Sequence, residues 1–445
     1  MTDVVSRAEA EAVVGLLRST EVEDRRRALD ELRAWQRSPF DIEAASVLIS
    51  AATSEYPEVN KSWPPRPNER MVNVLWFDAQ AVPPDVIAEH LPGLPTEARW
   101  AAIRLLAENG SEMAAMVLAS ELRRLAQDDE ATPPHYPILL PFERDPRHAG
   151  TLIPAVLELL ASSAWTPVAA GVLLPYAAAG FLTVDDERVA ADLLRSSALG
   201  EMEGLRVEFE ASGRSIRWDE ESDHGRRRST TGLVLDLIGH LRRADVAGAL
   251  HVAAEHSDPW FALWGTLGLL RRGEAPAAES VARAAADPEA RVVLYDQLAS
   301  TGWLELMPDS ERTQSKLAEG EMVRWLMFPT ELGRAPDEIE EVAVVAMRHE
   351  AGPADLYVFK FRCHEPHWSA SDGWMVGVAG PYLRREQPTS QSLNATFSRF
   401  EPYQEEKLRE RVEAIVGTLA EWASAHGQAV PGSVPRRRWR DRWRR

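Results

Sequence analysis

From the N-terminus to about Met307, apolar residues recur at helical spacing in segments cut short by Pro, Gly or Asp-Pro. Ala28, Leu29, Leu32 and Trp35 fall on one helical face, as do Ala102, Leu105 and Leu106. The segments run roughly 10 to 16 residues between short breaks, the rhythm of stacked antiparallel helices. A chain of 445 residues with that rhythm forms two or three domains or one extended array, being too long for a single ordinary core.

Three stretches resemble one another: EVEDRRRALDELRA (21–34), LPTEARWAAIRLLA (94–107) and DPEARVVLYDQL (287–298). Each opens on a turn-forming or acidic residue, carries an arginine a few positions in, and continues with small and branched apolar residues. A fourth, DPWFALWGTLGLLRRG (258–273), keeps the Asp-Pro opening but lacks the arginine. Pro259 and Pro288 lie 29 residues apart, a spacing suited to a two-helix repeat. Asp or Thr is expected to cap the exposed amides, and Pro suits a first turn where its missing N–H needs no partner. These stretches resemble HEAT-type repeats, in particular the short bacterial variety of phycobilisome-lyase-like proteins. The resemblance implies a mainly α, HEAT- or armadillo-like helical solenoid over residues 1–307.

Two insertions interrupt the pattern. DDEATPPHYPILLPFERDPRHAG (128–150) is proline-rich and reads as an irregular excursion, and FEASGRSIRWDEESDHGRRRSTTG (209–232) as a hairpin followed by a charged loop. The pattern changes near residue 308. One more helix is expected before Pro329, then four short strands: EEVAVVAM (340–347), DLYVFKFRC (355–363), GWMVGVAG (373–380) and ATFSRF (395–400). YQEEKLRERVEAIVGTLAEWA (403–423) reads as a covering amphipathic helix with Leu408, Val412, Ile415, Leu419 and Trp422 on its apolar stripe. Residues 308–428 are thus expected to form a small α+β domain of about four antiparallel strands and a helix. RWLMFPTELGRAPDEIE and DGWMVGVAGPY resemble a C-terminal module of bacterial HEAT-repeat proteins, a likeness that implies architecture and no chemistry.

FRCHEPHWSASDGW (361–374) concentrates the reactive side chains, including the chain's one cysteine. Strand alternation puts Tyr357, Phe359, Phe361 and Cys363 on one face and Val358, Lys360 and Arg362 on the other. Cys363 then belongs with the aromatics, as a packed thiol rather than a nucleophile or zinc ligand. His364, His367 and Asp372 are the candidate metal ligands, one short of a structural zinc set without the thiol. HEPH is one residue short of HExxH, and Pro366 disfavours the helix that motif needs. His364, His367 and Trp368 are also candidate partner contacts, since Trp is enriched at interface hot spots. No GxGxxG, GxxxxGK[ST] or GxSxG occurs, so no catalytic residue and no cofactor are assigned.

Charge bears on partners. The chain carries −19, yet the last ten residues, RRRWRDRWRR, hold seven arginines against Asp441; removing that +6 leaves −25 on the remainder. Arg436, Arg437, Arg438, Trp439 and Trp443 could grip nucleic acid or an acidic surface, while the 429–445 tail is expected to be disordered in isolation. An acidic body repels a phosphate backbone and favours basic or neutral partners. With one cysteine, no apolar run of the roughly 18–20 residues that span a bilayer and no secretion signal, the expected setting is the cytoplasm. Four lysines among 50 basic residues point to a high-GC bacterial genome. The sequence reads as a non-catalytic interaction scaffold or adaptor, an immunity-type protein neutralising a basic partner being one form. The alternatives are a nucleic-acid-binding or DNA-repair protein, and a metal-dependent enzyme built on the 364–372 loop.

Overall fold

The computed structural model describes residues 4–57, 66–128, 146–162, 164–212, 223–328, 331–349, 351–363, 373–393 and 397–403, and isolated positions from 407 to 417. The protein is mainly helical, with a small antiparallel sheet towards its C-terminal end. Two compact units divide it: Met1–Leu194 with His240–Arg243, and Arg195–Gly239 with Ala244–Arg445. No helix among the described residues is long and apolar enough to cross a membrane.

The first unit holds α1 (Arg7–Leu17), α2 (Val22–Ala34), α3 (Ile42–Ala51), α4 (Pro67–Asn73), α5 (Pro84–His90), α6 (Thr96–Asn109), α7 (Glu112–Ala126), α8 (Ala149–Leu160) and α9 (Thr166–Ala178). Chain neighbours pack on one another, α1 on α2, α6 on α7 and α8 on α9. Their starts are marked locally. Ser6 and Glu9 form a reciprocal capping box on α1, and Asp41 and Ser111 cap α3 and α7. α6 stops at Gly110, whose φ of 63° is the left-handed conformation that glycine adopts without penalty.

α10 (Val184–Ser212) begins in the first unit and ends in the second, which continues with α11 (Asp223–His240), α12 (Ala247–Glu255), α13 (Pro259–Arg271), α14 (Ala278–Ala286), α15 (Pro288–Thr301) and α16 (Gln314–Leu326). Each of α12 to α15 packs on the next helix, and α13 also meets α15. Glycine permits the closest approach: a Cβ on Gly265 of α13 would lie 2.7 Å from the Leu250 carbonyl oxygen of α12. The 209–232 segment, expected as hairpin and charged loop, is instead helical up to Ser212 and again from Asp223. Its arginines Arg227 and Arg228 are held by carboxylates, which removes the solvation that would favour a loop. Positions 213–222, and 129–145 of the other insertion, lie outside the described residues; Pro146–His148 form a single 3₁₀ turn into α8.

The recurrent arginine has a common task. Arg25 donates to the carbonyls of Ser19 and Thr20, Arg99 to those of Leu91 and Pro92, and Arg291 to those of Ala285 and Ala286. Each reaches back from its own helix to carbonyl groups left without intrahelical partners just before it. In α13 the corresponding position is Ala262, and Arg283 of α14 donates to Ala254 and His256 instead. The opening residues are less uniform than expected. Asp258 and Asp287 cap α13 and α15 through their side chains, whereas Glu21 and Pro95 at the corresponding positions do not. Thr96 lies inside its helix, where its hydroxyl no longer occupies the capping position.

The sheet runs β1 (Glu338–His349), β2 (Gly352–Arg362), β3 (Met375–Leu383) and β4 (Phe397–Pro402), antiparallel throughout and in that spatial order. Tyr357, Phe359 and Phe361 of β2 pack with Ala318, Met322 and Leu326 of α16, while Leu356 and Val358 join Val345, Val376 and Val378 on the other face. Cys363, just past the end of β2, is buried at 1% exposure. A bulge between Glu341 and Ala343 reverses the alternation of β1, so that Ile339 and Val344 share the α16 face. The loop after β3 is tied to the helices: Gln314 exchanges two hydrogen bonds with the Thr389 backbone, at 2.8 and 3.0 Å, and Ser390 donates to Asp296. The 403–423 segment lies almost wholly outside the described residues.

Candidate functional site

A group of buried charge in the second unit stands where three helices begin. Arg228, in the second turn of α11, makes two hydrogen bonds to Asp258, at 2.6 and 2.9 Å, and two to Glu289, both 3.1 Å. Asp258 is the N-cap of α13 and Glu289 sits in the first turn of α15, so one guanidinium spans the starts of two helices from a third. Asp258 also accepts from the Trp260 amide at 2.9 Å. Its own amide donates to His256 Nδ1, leaving Nε2 of that ring to donate to the Met202 carbonyl at 3.1 Å. A second level lies about two turns further along α11 and α15, met by the last residue of α13. Arg271 of α13 pairs with Asp236 of α11 and donates to Gln297 of α15. Between the levels the indoles of Trp260 and Trp264 meet edge to face, 5.5 Å apart, and both ring nitrogens approach Gly232, where a side chain would collide with them.

Burial pulls these groups in different directions. It pushes the Glu289 carboxyl up, and the pull of Arg228 does not offset it. It also acts to raise Asp258, but there the Arg228 charge, the paired hydrogen bonds and the Trp260 amide outweigh it and hold the carboxyl below its ordinary value. Desolvation alone would lower Arg228, yet the two carboxylates keep it well above the usual guanidinium range. Carboxylates shifted in opposite directions are the pattern of an acid and a base. Here, however, both oxygens of each carboxylate already accept from Arg228, and Asp258 accepts from a backbone amide as well. The chemistry this geometry performs is mechanical: it fixes three helices to one another.

A neighbouring group links α10 to α11. Arg227 bonds Glu201 at 2.7 Å and Glu208 at 3.0 Å, while Glu208 also meets His224 Nδ1 at 2.5 Å. The His224 hydrogen bond, assisted by Arg227, holds the Glu208 carboxyl below the usual range.

His364, His367, Trp368 and Asp372 lie outside the described residues, as do Arg436, Arg437, Arg438, Trp439 and Trp443. Among the described residues no group of three or more His, Cys, Asp or Glu side chains is placed to hold a metal ion. Sequence reading missed Arg228, because GRRRSTTG looked like a solvated run. A signal was present: Arg228 precedes Asp258 by 30 residues and Asp258 precedes Glu289 by 31, close to the period of the Asp-Pro openings.

No protein-family model matches the sequence, and no curated protein matches it. Among solved structures, an engineered protein determined by the Northeast Structural Genomics Consortium aligns over 71% of this chain and 79% of its own, at 15% identity and a TM-score of 0.28. A likeness that slight carries no argument.

Proposed function

We propose that this chain is a non-catalytic interaction scaffold or adaptor, built as a HEAT-like helical solenoid that ends in a small α+β module. The observation that carries the reading is the Arg228–Asp258–Glu289 lock, supported by the second level at Asp236, Arg271 and Gln297. Buried charges bound to one another hold the alternate helices α11, α13 and α15 rigidly, and a rigid helical face suits the docking of another protein. The repeated clamping of preceding carbonyls by Arg25, Arg99 and Arg291 supports a repeat architecture with a common structural unit. With −19 on the chain, the partner that complements the whole body is a neutral or basic protein, and an immunity-type role against a basic target is one form of it. The setting proposed is the cytoplasm.

The test is affinity capture of the tagged full chain from its native host, followed by two chromatographic steps and light scattering. A protein that co-elutes at a fixed ratio, and re-forms the complex from purified parts, is the expected result. Turnover that tracks the purified chain, with no stoichiometric partner, would refute the proposal.

A further inference from the structure

In the first unit a short segment presents two adjacent aromatic rings, each with an arginine over it. Trp76 and Phe77 lie in the 3₁₀ segment Val74–Ala81, their ring centroids 5.3 Å apart. The Arg104 guanidinium of α6 stacks 3.6 Å from the Trp76 centroid, and Arg37 stands 5.9 Å from that of Phe77. Phe77 is 58% exposed.

Two features set this patch apart. Acidic residues outnumber basic ones 69 to 50 in the chain, yet among the described residues neither the Arg37 nor the Arg104 guanidinium makes an ion pair or hydrogen bond. Asp78, the acid next in sequence, instead accepts from the Phe40 amide at 2.9 Å. A guanidinium lying over a ring face still has N–H groups to offer a carboxylate or other oxyanion. An exposed phenyl ring beside two such groups adds an apolar anchor of the kind found at interface hot spots.

We propose that Arg37, Trp76, Phe77 and Arg104 form a docking site for an acidic segment of a partner protein. Its carboxylates meet the two guanidinium edges and one of its apolar side chains packs on Phe77. The proposal rests on the interaction-scaffold reading and adds the chemistry of one contact. Charge complementarity selects the occupant: two cations over rings, unpaired among the described residues of an acidic chain, favour a short run of carboxylates. A nucleic-acid strand carries a charge at every nucleotide and the patch has only two arginines to meet it, whereas a peptide can set two carboxylates among neutral residues and so is repelled less by a chain of −19.

The experiment uses the full chain and three fluorescent probes: a random glutamate–tyrosine copolymer, polyglutamate, and a single-stranded thymidine oligonucleotide. Anisotropy is expected to show the copolymer binding most tightly and weakening with salt. Arg37→Gln with Arg104→Gln should lower its affinity at least ~10-fold. Phe77→Ser should lower copolymer binding by roughly 3- to 10-fold while leaving polyglutamate unchanged. Arg37→Lys with Arg104→Lys, which keeps charge and loses the planar fork, should give an intermediate value. Far-ultraviolet circular dichroism checks that each variant is folded. Equal copolymer affinity in the wild type and the double glutamine variant overturns the proposal, as does patch-dependent binding of the oligonucleotide in place of the copolymer. A host partner whose capture ignores these substitutions overturns the docking site alone; failure to capture any partner, with copolymer binding intact, overturns the scaffold reading alone.

Discussion

Arg283 stands in for an arginine that α13 lacks: it donates at 3.0 Å to the His256 carbonyl, which the helix that follows leaves unclamped. The same guanidinium nitrogen reaches the Ala254 carbonyl at 3.4 Å. One task, closing the carbonyl groups ahead of a helix, is thus met by Arg25, Arg99 and Arg291 from within that helix and by Arg283 from the next.

These arginines should rank by burial. Arg291 is 1% exposed and bonds three carbonyls, and it also pairs with Glu311 and Glu319. Arg291→Ala is expected to cost about 3–5 kcal/mol, because buried carbonyls lose their donor and Glu311 loses its cationic partner. Arg99→Ala and Arg283→Ala, at half-buried sites with two carbonyl acceptors each, should cost about 1–2 kcal/mol. Urea denaturation measures the order; Arg99→Ala more damaging than Arg291→Ala would contradict it.

At the ionic lock, Arg228→Met should destabilise the second unit by about 3–5 kcal/mol by stranding two buried carboxylates. Adding Asp258→Asn and Glu289→Gln to that variant should restore part of the loss, since the amides carry no charge and Asn still caps α13. A triple variant no more stable than Arg228→Met alone would show that the charges do not act as a unit.

The pH dependence of the two carboxylates has opposite sign. Asp258 is held below its ordinary value of 3.8, so the unfolded chain binds its proton more readily. Its contribution is present above that value and lost as pH falls through the lower folded one. Glu289 is raised above 4.5, so the folded chain binds more protons and stability declines as pH rises through the window above 4.5. Unfolding midpoints across acidic pH should show the advantage of wild type over Asp258→Asn shrinking towards low pH. The advantage of Glu289→Gln over wild type should grow as pH rises past 4.5. Parallel pH curves for wild type and both variants would be inconsistent with these shifts.

Two glycine-to-alanine changes should move stability in opposite directions. Gly15 of α1 has open space where a Cβ would be placed, and Gly15→Ala is expected to gain about 0.5–1 kcal/mol from helix propensity. Gly265→Ala would press a methyl group onto the backbone of Leu250 and Ala253, which cannot rotate away, and should cost about 3 kcal/mol or more. Thermal melts of the two variants distinguish the cases.

Cys363 offers a simple probe of the strand reading. At 1% exposure its thiol should react with Ellman's reagent only as fast as the sheet opens, and at once in denaturant. Immediate reaction of the native protein would place the sulfur at the surface.

The helices and strands were legible because their signals are local. Ala28 and Leu32, or Leu105 and Leu106, share a face through backbone geometry alone, and both pairs are buried. Tyr357, Phe359 and Phe361 alternate with Leu356 and Val358 for the same reason, and the two sets enter different cores. The bulge that reverses β1 had no comparable mark, because it depends on how that strand pairs with β2. The charged run at Arg226–Arg228 was misread because charge by itself says solvent; only partners 30 and 61 residues away make Arg228 a buried group.

By itself, then, the sequence determined much of where helices and strands lie, which faces of α2 and α6 are apolar, and how the side chains of β2 alternate. All of these follow from backbone periods of a few residues. Tertiary structure decided which charges are buried, which arginine closes which helix end, and where Arg37 and Arg104 lie over aromatic rings. Coulombic and desolvation energies depend on distances in space, and those distances exist only once remote segments have packed.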